Sequence, residues 1–339
     1  MTTIYLIRHA EAEGNVFRRL HGQYDSNVTP NGLKQIAALA KRFENIPIDA
    51  VYASDLTRTC TTASAVYQPK NLPLHKEPRF RELNCGVWED LPFGWLDHTD
   101  PERNRAFSHD PQNWSVEGSE RFATYTGRFL EALEEVARRH AGQTVAIFSH
   151  GMVLRGVQQR LFFPEKRDLP HSENTAVTKL LWDGAGYQLE YLNDASHLPL
   201  EISTLGRQQW WRGGDHKDHN MWYRDAEPTD ASLLAALCVT PSEVTRVSML
   251  VNTPTGALTL QGVDAETDEI VQLALLPEYR GKGFSAQLLG EAVSLSRKRG
   301  KCRLHLRTPV EHPAAVRLFE TYGFRNAALS LRPTVPKEK

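Results

Sequence analysis

The chain has 339 residues, 40% of them apolar and 24% charged, so at ~150 residues per domain it holds about two globular domains and is neither disordered nor fibrous. Its 40 Lys and Arg stand against 41 Asp and Glu for a net charge of −1, which excludes a general polyanion binder, so neither nucleic acid nor a membrane surface is expected as a partner. The longest apolar runs, 233–239 and 271–277, fall far short of the ~20 residues of a membrane helix. The opening Met1-Thr2-Thr3-Ile4-Tyr5 lacks the basic start of a signal peptide, and Cys60, Cys85, Cys238 and Cys302 are scattered without a CxxC pair. Together these features predict a cytoplasmic protein with reduced thiols.

In chain order, residues 3–7 form a short, nearly continuous apolar run, as in a strand buried on both faces. Leu33, Ile36, Ala37, Ala40 and Phe43 share one face of a helix over 31–44. A strand over 49–53 leads into a helix over 56–67. A long amphipathic helix covers 119–139, and a second buried strand, 144–148, precedes a helix after Gly151. Residues 177–182 and 187–192 flank Asp183-Gly184-Ala185-Gly186 as a hairpin. This alternation predicts an α/β domain of three layers, a mostly parallel sheet between helices.

The character changes over 200–228, where Trp210, Trp211 and Trp222 argue against a floppy linker and predict packing on one domain or the other. His216 and His219 lack a third ligand nearby, which favours a solvated loop, and no metal is expected. Strands over 247–252, 257–261 and 269–276 follow. A helix then places Phe284, Leu288, Ala292 and Leu295 on one face, and a strand over 302–307 and a helix over 313–322 complete the chain. A meander feeding a single helix predicts a second, mixed α/β domain. The boundaries read as a first domain over 1–205, a linker over 206–225 and a second domain over 226–339.

Three strand ends carry the first chemical constellation. Arg8 and His9 follow the first buried strand, Ser149-His150-Gly151 follows the strand at 144–148, and Ser54-Asp55-Leu56-Thr57-Arg58-Thr59 follows the strand at 49–53. Ligand sites of open α/β sheets lie beyond the carboxyl ends of the strands. Ser54 or Asp55 could cap the next helix with Arg58 in its first turn, where a phosphate would meet helix N–H groups and a guanidinium together. Two arginines and two histidines at three strand ends point to an anion site.

These residues sit in motifs that resemble the histidine phosphatase (phosphoglycerate mutase-like) superfamily over the first ~200 residues. The matching stretches are Arg8-His9-Ala10-Glu11 with Asn15, the run from Gly22-Gln23-Tyr24-Asp25 through Thr29-Pro30-Asn31-Gly32, Ser54 to Thr59, Glu82-Leu83-Asn84-Cys85-Gly86-Val87-Trp88-Glu89 and Ser149-His150-Gly151. One element is altered, with Gly118-Ser119-Glu120-Arg121 at the family's Gly-Gly-Glu-Ser position. The resemblance implies phosphoryl transfer through His9 as nucleophile, with Arg8, Arg58 and His150 neutralising phosphoryl charge and Glu82 as general acid and then base. The positive surroundings should depress the His9 pKa. Asn15, Gly22 and Gln23 are candidates for substrate or phosphate contact, or for turn formation beside the pocket. The substrate expected is a small phosphorylated metabolite, and this domain needs no cofactor.

Residues 85–90 lack the Tyr-Gly-x-Leu-Gln-Gly run that mutases of this family carry, and resemble its phosphatase branch; the alternative is a phosphoglycerate mutase-type phosphotransferase. Trp88, Phe93, Trp95 and Trp114 either shape a ring-stacking pocket or serve packing.

The second constellation is Pro277-Glu278-Tyr279-Arg280-Gly281-Lys282-Gly283-Phe284-Ser285, a glycine-rich turn between a strand and a helix that would cradle a pyrophosphate. The last ~120 residues resemble a GNAT-type N-acetyltransferase, through Arg280-x-x-Gly283-x-Ser285 and through the run from Pro313 to Phe324. The resemblance implies acetyl-CoA as cofactor, its pyrophosphate on residues 280–285 (Arg280, Gly281, Lys282, Gly283, Phe284 and Ser285), its pantetheine arm along the strand over 269–276 with Leu275 among its contacts, and an unidentified amine as acceptor. The family's asparagine position is His312, and its proton-donating tyrosine position is Phe319, which has no proton to give. A non-catalytic coenzyme sensor controlling the phosphatase is therefore the second alternative. Eight basic residues between Arg280 and Arg307 face one acidic residue, Glu291, reading either as a solvated helix end or as attraction for the coenzyme's 3′-phosphate.

Overall fold

The computed structural model describes residues 1–165, 169–208, 219–306, 313–325 and 328–330, which build two six-stranded sheets. The first half runs β1 (Thr2–Arg8), α1 (Glu13–Phe17), α2 (Pro30–Phe43), β2 (Ala50–Ala53), α3 (Thr57–Tyr67), β3 (Leu74–Lys76), α4 (Phe93–Thr99), α5 (Pro101–His109), α6 (Phe122–Arg139), β4 (Thr144–Ser149), α7 (Gly151–Phe162), β5 (Val177–Trp182), β6 (Tyr187–Asp194) and α8 (Thr204–Arg207). Its sheet order is β3-β2-β4-β1-β5-β6. The four strands β3, β2, β4 and β1 are parallel, and β5 and β6 are antiparallel additions. The apolar runs of β1 and β4 are buried on both faces. One face packs on α6 and α7 through Leu6, Phe129 and Val157, the other on α2 and α3 through Ile7, Leu39 and Val66. Helix α2 starts where Thr29 accepts a hydrogen bond from Gly32 N and Pro30 occupies the first turn.

The register carries Arg8 opposite Ser149, and Ala53 opposite Phe148, so three strand ends finish on one edge of the sheet. Because β5 runs antiparallel to β1, the residues just before β5 lie at that same edge.

The second half runs β7 (Met221–Asp225), α9 (Ala231–Ala236), β8 (Val244–Leu250), β9 (Thr253–Gly262), β10 (Thr267–Leu275), α10 (Phe284–Lys298), β11 (Arg303–Leu306), α11 (Pro313–Thr321) and β12 (Ala328–Ser330), in the sheet order β12-β11-β10-β9-β8-β7. Strand β10 is bulged between Ile270 and Gln272. Among the described residues it pairs in parallel with β11 over Thr267–Ile270.

The expected linker over 206–225 needs correction, since Met221–Asp225 is the edge strand of the second sheet. Its three leading residues are buried, so a run reading Met-Trp-Tyr beside histidines was strand and core rather than connection. Residues 209–218, with Trp210, Trp211 and His216, lie outside the described residues, as do Arg307 and His312.

The two halves share a packed seam. Phe17 of α1 belongs to the hydrophobic core of the second half, beside Leu289, Val293 and Tyr322. Helix α10 can approach α1 because residue 290 is glycine; a Cβ there would lie 2.4 Å from the Phe17 Cβ. Trp222 stacks on His98 at 4.1 Å between ring centres and tilts against Trp95, so this tryptophan packs on both domains at once. Gly290→Val should overpack this contact, costing about 1–3 kcal/mol. The measurement is the melting temperature of the full chain, which should fall; an unchanged melting temperature would show that α10 and α1 are not closely packed.

Candidate active site

The edge where β1, β2 and β4 end opens into a cavity of about 630 Å³, within the range of small-molecule sites. Arg8, His9, Asn15, Arg58 and Glu82 all line it, as do Arg18, Met152, Ser172 and Asn174.

His9 follows the last residue of β1 and is 6% exposed. Its Nδ1 lies 2.7 Å from the Ala10 carbonyl oxygen. A carbonyl only accepts, so the neutral ring carries its proton on Nδ1 and keeps the Nε2 lone pair for a reactant. Burial holds the imidazole well below its ordinary pKa, and Arg58 and Arg8 push the same way. The ring is therefore an uncharged nucleophile at neutral pH.

Arg58 is 1% exposed in the first turn of α3. It is aimed by carbonyls, with Nη2 donating to Gly22 O at 2.5 Å and Nη1 to Tyr24 O at 2.9 Å. Its Nε donates to His150 Nδ1 at 3.2 Å. Since guanidinium can only donate, His150 Nδ1 must be the acceptor, and Nε2–H then donates to Ser54 Oγ at 2.9 Å. His150 is thus neutral in this arrangement, in line with a pKa that burial and Arg58 hold well below the ordinary value. It lies outside the cavity wall, with its ring centre 5.3 Å from that of His9. In this arrangement His150 Nδ1 is engaged by Arg58 and Nε2 by Ser54. Arg8 donates through Nη1 to the Ser172 carbonyl, and its Nε is buried beside Gly151 with no hydrogen-bond partner among the described residues.

Glu82 accepts three backbone hydrogen bonds, from Leu83 N at 2.9 Å and from Met152 N and Val153 N, at 2.9 and 2.7 Å, in the first turn of α7. Burial raises its pKa, the three N–H groups oppose that, and the net direction is upward. A carboxyl pushed upward can hold a proton to donate.

Gly22 and Gln23 do not line the cavity. Their N–H groups and that of Tyr24 donate to Glu89, at 3.2, 2.8 and 2.9 Å, and Cys85 N donates to the same carboxylate at 2.9 Å. Glu89 thereby fastens the turn whose carbonyls aim Arg58. Asn15 does line the cavity, and its Oδ1 accepts from Ala12 N at 3.0 Å.

Neither Ser54 nor Asp55 caps α3. Asp55 pairs with Arg81, and the first N–H of the helix, Thr57 N, donates to Asp25 Oδ1 at 2.9 Å. An aspartate from a distant turn took the position because its carboxylate also accepts from Thr57 Oγ1, at 2.7 Å. Asn174 was not singled out by sequence; its Nδ2 donates to His9 O at 2.9 Å, and it reaches this edge only because β5 is antiparallel. Trp88 and Trp114 pack on each other and on Phe107, whereas Phe93 lines the cavity.

In the second half, Gly281 and Gly283 take φ of +72° and +87°, and the latter caps α10. A Cβ at either would meet open space, so their neighbourhood is free for a ligand. Arg280 Nε donates to Leu275 O at 2.8 Å, tying the turn to β10. The side chains of Leu275 and Phe284 enter the core, leaving only their backbone to a coenzyme, while Lys282 and Ser285 are exposed and half-buried. Phe319 packs on Phe324, and Tyr322 sits 5.8 Å from the Phe17 ring at the seam. Much of the basic run is held by carboxylates: Arg297 by Glu13, Arg299 by Glu243 and Asp268, and Lys301 by Asp268. Among the described residues no group of three or more His, Cys, Asp and Glu could hold a metal.

A nucleophilic histidine between two arginines and beside a buried carboxyl group, at the carboxyl edge of a parallel sheet, defines a phosphoryl-transfer class of site. The chain belongs to the histidine phosphatase superfamily (branch 1), whose pattern matches residues 4–195, and an acetyltransferase (GNAT) family domain follows at 199–324. The chain is 34% identical over 157 residues to phosphoserine phosphatase 1 of Hydrogenobacter thermophilus, covering 46% of this chain and 74% of that protein. It is 29% identical over 212 residues to a probable phosphoglycerate mutase of Yersinia pestis, covering 59% and 96%. The solved structure of Bacillus stearothermophilus YhfR superimposes with a TM-score of 0.55 at 32% identity, covering 58% of this chain and 99% of that one.

With His9 as nucleophile and Glu82 as acid, as the resemblance implies, kcat/KM should fall on the acid side through the depressed His9 pKa and on the alkaline side through the raised Glu82 pKa. Glu82→Gln should remove the alkaline limb and lower kcat by about 10²- to 10⁴-fold. A pH–rate profile of the variant that keeps the alkaline limb would place the acid elsewhere.

Proposed function

We propose that the protein is a cytoplasmic phosphomonoesterase acting on a small phosphorylated metabolite, fused to an acetyl-CoA-binding domain. The observation that carries the first part is the His9 ring, neutral, with Nδ1 occupied and Nε2 available beside Arg8 and Arg58. Nε2 attacks phosphorus as the ester P–O bond breaks, and Glu82 delivers its proton to the departing oxygen. The phosphoryl group is then on His9. Glu82, now a carboxylate, takes a proton from water as the water oxygen attacks phosphorus and the P–N bond breaks, releasing phosphate and restoring both residues. Arg8 and Arg58 stabilise charge on the phosphoryl oxygens throughout.

Hydrolysis is favoured over mutase action by the 85–90 segment and by the likeness to phosphoserine phosphatase 1; the likeness to the probable phosphoglycerate mutase keeps phosphate return as the competing outcome. In the second domain the open turn at 280–285 suits a coenzyme, with an amine as acceptor. A second reading, in which this domain senses acetyl-CoA rather than consuming it, is favoured by two observations. Phe319 has no proton to give, and α10 runs from the candidate coenzyme turn to the contacts that hold Glu13 and Arg19 beside the phosphatase cavity.

The test screens phosphomonoesters with the full chain, with and without acetyl-CoA. Phosphate release should dominate over 2-/3-phosphoglycerate interconversion, and radiolabelled substrate should label the protein. His9→Asn should abolish labelling and lower turnover by roughly four orders of magnitude or more; full activity in that variant would reject the mechanism. Acetyl-CoA should bind by calorimetry. Free CoA released in the presence of amines supports the transferase reading, while an altered phosphatase rate without consumption supports the sensor reading.

A further inference from the structure

The proton on His9 is placed by backbone. The Ala10–Glu11 peptide supplies the carbonyl that His9 Nδ1 meets at 2.7 Å, so the tautomer of the ring depends on how that peptide plane is turned. Flipped over, the same peptide would present its N–H to Nδ1. Nδ1 would then have to accept, the ring proton would sit on Nε2, and the lone pair facing the reactant would be lost.

One side chain opposes that flip. Gln35 lies on the buried face of α2, 0% exposed and outside the cavity wall. Its Oε1 accepts at 2.7 Å from Glu11 N, the N–H of the peptide whose carbonyl meets His9. Its Nε2 donates to Ile202 O at 2.7 Å and to Thr204 Oγ1 at 2.9 Å. These partners settle the amide orientation, because a carbonyl only accepts and a backbone N–H only donates. The Thr204 hydroxyl donates in turn to Glu11 Oε2 at 2.9 Å, and Thr29 Oγ1 and Asn31 Nδ2 donate to the same carboxylate at 2.7 and 3.1 Å. Glu11 is therefore fixed at its amide and at its side chain.

The preceding peptide, His9–Ala10, is also held on both sides. Ala10 N donates to Thr62 Oγ1 at 2.9 Å, and His9 O accepts from Asn174 Nδ2 at 2.9 Å. Thr62 stands one turn after Arg58 in α3 and donates to Arg58 O at 2.6 Å, which ties the nucleophile's backbone to the helix that carries the arginine. Of these contacts, the one from Gln35 falls on the peptide that sets the ring proton.

We propose that Gln35 is a positioning residue of the phosphatase reaction, holding the Ala10–Glu11 peptide so that its carbonyl keeps the His9 proton on Nδ1 and leaves Nε2 free to attack phosphorus. An acceptor on the N–H of a peptide also polarises its C=O, so Gln35 strengthens the bond to His9 as well as aiming it. Glutamine suits the place because one planar group offers an acceptor to Glu11 N and a donor to Ile202 O, without a charge beside the buried Glu11 carboxylate. The role rests on the phosphatase reading of the site.

The experiment uses the full chain carrying ¹⁵N-histidine, with the nucleophile among the 13 histidines identified as the signal missing from His9→Asn. Ring nitrogen shifts report which nitrogen is protonated. Phosphorylation of His9 by p-nitrophenyl phosphate, whose leaving group needs no proton, reports attack without Glu82. The unaltered protein at neutral pH should show Nδ1 protonated and Nε2 bare. Gln35→Met should move the proton toward Nε2 and slow phosphorylation about tenfold, the scale of one hydrogen bond, with the inhibition constant of inorganic phosphate within about twofold. Gln35→Glu, kept protonated by burial beside Glu11, presents the same acceptor and donor, and should return the spectrum and the rate toward those of the unaltered protein. If Gln35→Met gives no cooperative melt, Thr204→Val carries the test: it removes the hydroxyl shared by Gln35 and Glu11, and the His9 spectrum should show the same movement. A proton that stays on Nδ1 in the folded variant, whatever happens to the rate or the melting temperature, would show a merely structural role and overturn the proposal. A moved proton with an unchanged phosphorylation rate overturns it equally. Either result, with His9 labelled and phosphate released, leaves the phosphatase reading standing. An unlabelled His9 and no phosphate release from any phosphomonoester overturn both.

Discussion

The structure turns on one buried guanidinium. Arg19 donates to Asp90 Oδ1 and Glu291 Oε2, both at 2.8 Å, and to Ser294 Oγ at 2.9 Å, and the Ser294 hydroxyl donates in turn to Asp90 Oδ2 at 2.5 Å. Asp90 belongs to the first half, Glu291 and Ser294 to helix α10 of the second. Burial alone would lower the Arg19 pKa, but the two carboxylates outweigh it and hold the charge in place. Such a network need not add net stability compared with an apolar seam, yet removing one member strands the others, at a cost of about 3–5 kcal/mol. Its effect is to fix a geometry. Arg19 can sit in one place only, and so can the backbone between α1 and the 22–24 turn.

That backbone shapes the candidate active site. Its carbonyls at Gly22 and Tyr24 aim Arg58, which donates to His150, and His150 donates to Ser54; the His150 ring centre lies 5.3 Å from that of His9. His21 joins the same network through Asp90 at 3.2 Å. The seam at α10 and the turn that aims Arg58 are therefore joined through the backbone between Arg19 and Tyr24. The second half is part of the support of the first, and Phe17, a first-half residue inside the second core, makes the dependence mutual.

Helix α10 has two ends with different duties. Its N-terminus meets the glycine-rich turn at 280–283, where the backbone is open. Its middle and C-terminal turns carry Gly290, Glu291, Ser294 and Arg297, all spent on α1, Arg19, Asp90 and Glu13. Of the basic run that reads as a solvated end or a phosphate attractor, Arg297 and Lys298 pair across this seam, and Arg299 and Lys301 pair with carboxylates of the second half.

The sequence by itself determined the layered α/β first half, the mixed second half and the positions of Arg8, His9, Arg58, Glu82 and His150, because hydrophobic periodicity and strand-end motifs are local signals. It also placed the candidate coenzyme turn at 280–285. It did not determine which residues those groups would touch. That His150 accepts from Arg58 and so stays neutral, that Asp25 rather than Ser54 or Asp55 receives the first N–H of α3, and that Asn174 reaches His9 depend on strands and turns far apart in the chain meeting at one edge. The role of Met221–Asp225 as an edge strand, and of Asn220 as a wall of the phosphatase cavity, was decided by packing between the halves. Hydrophobic pattern records which side of an element is buried, but which partner it is buried against is settled only when the separate layers close on one another.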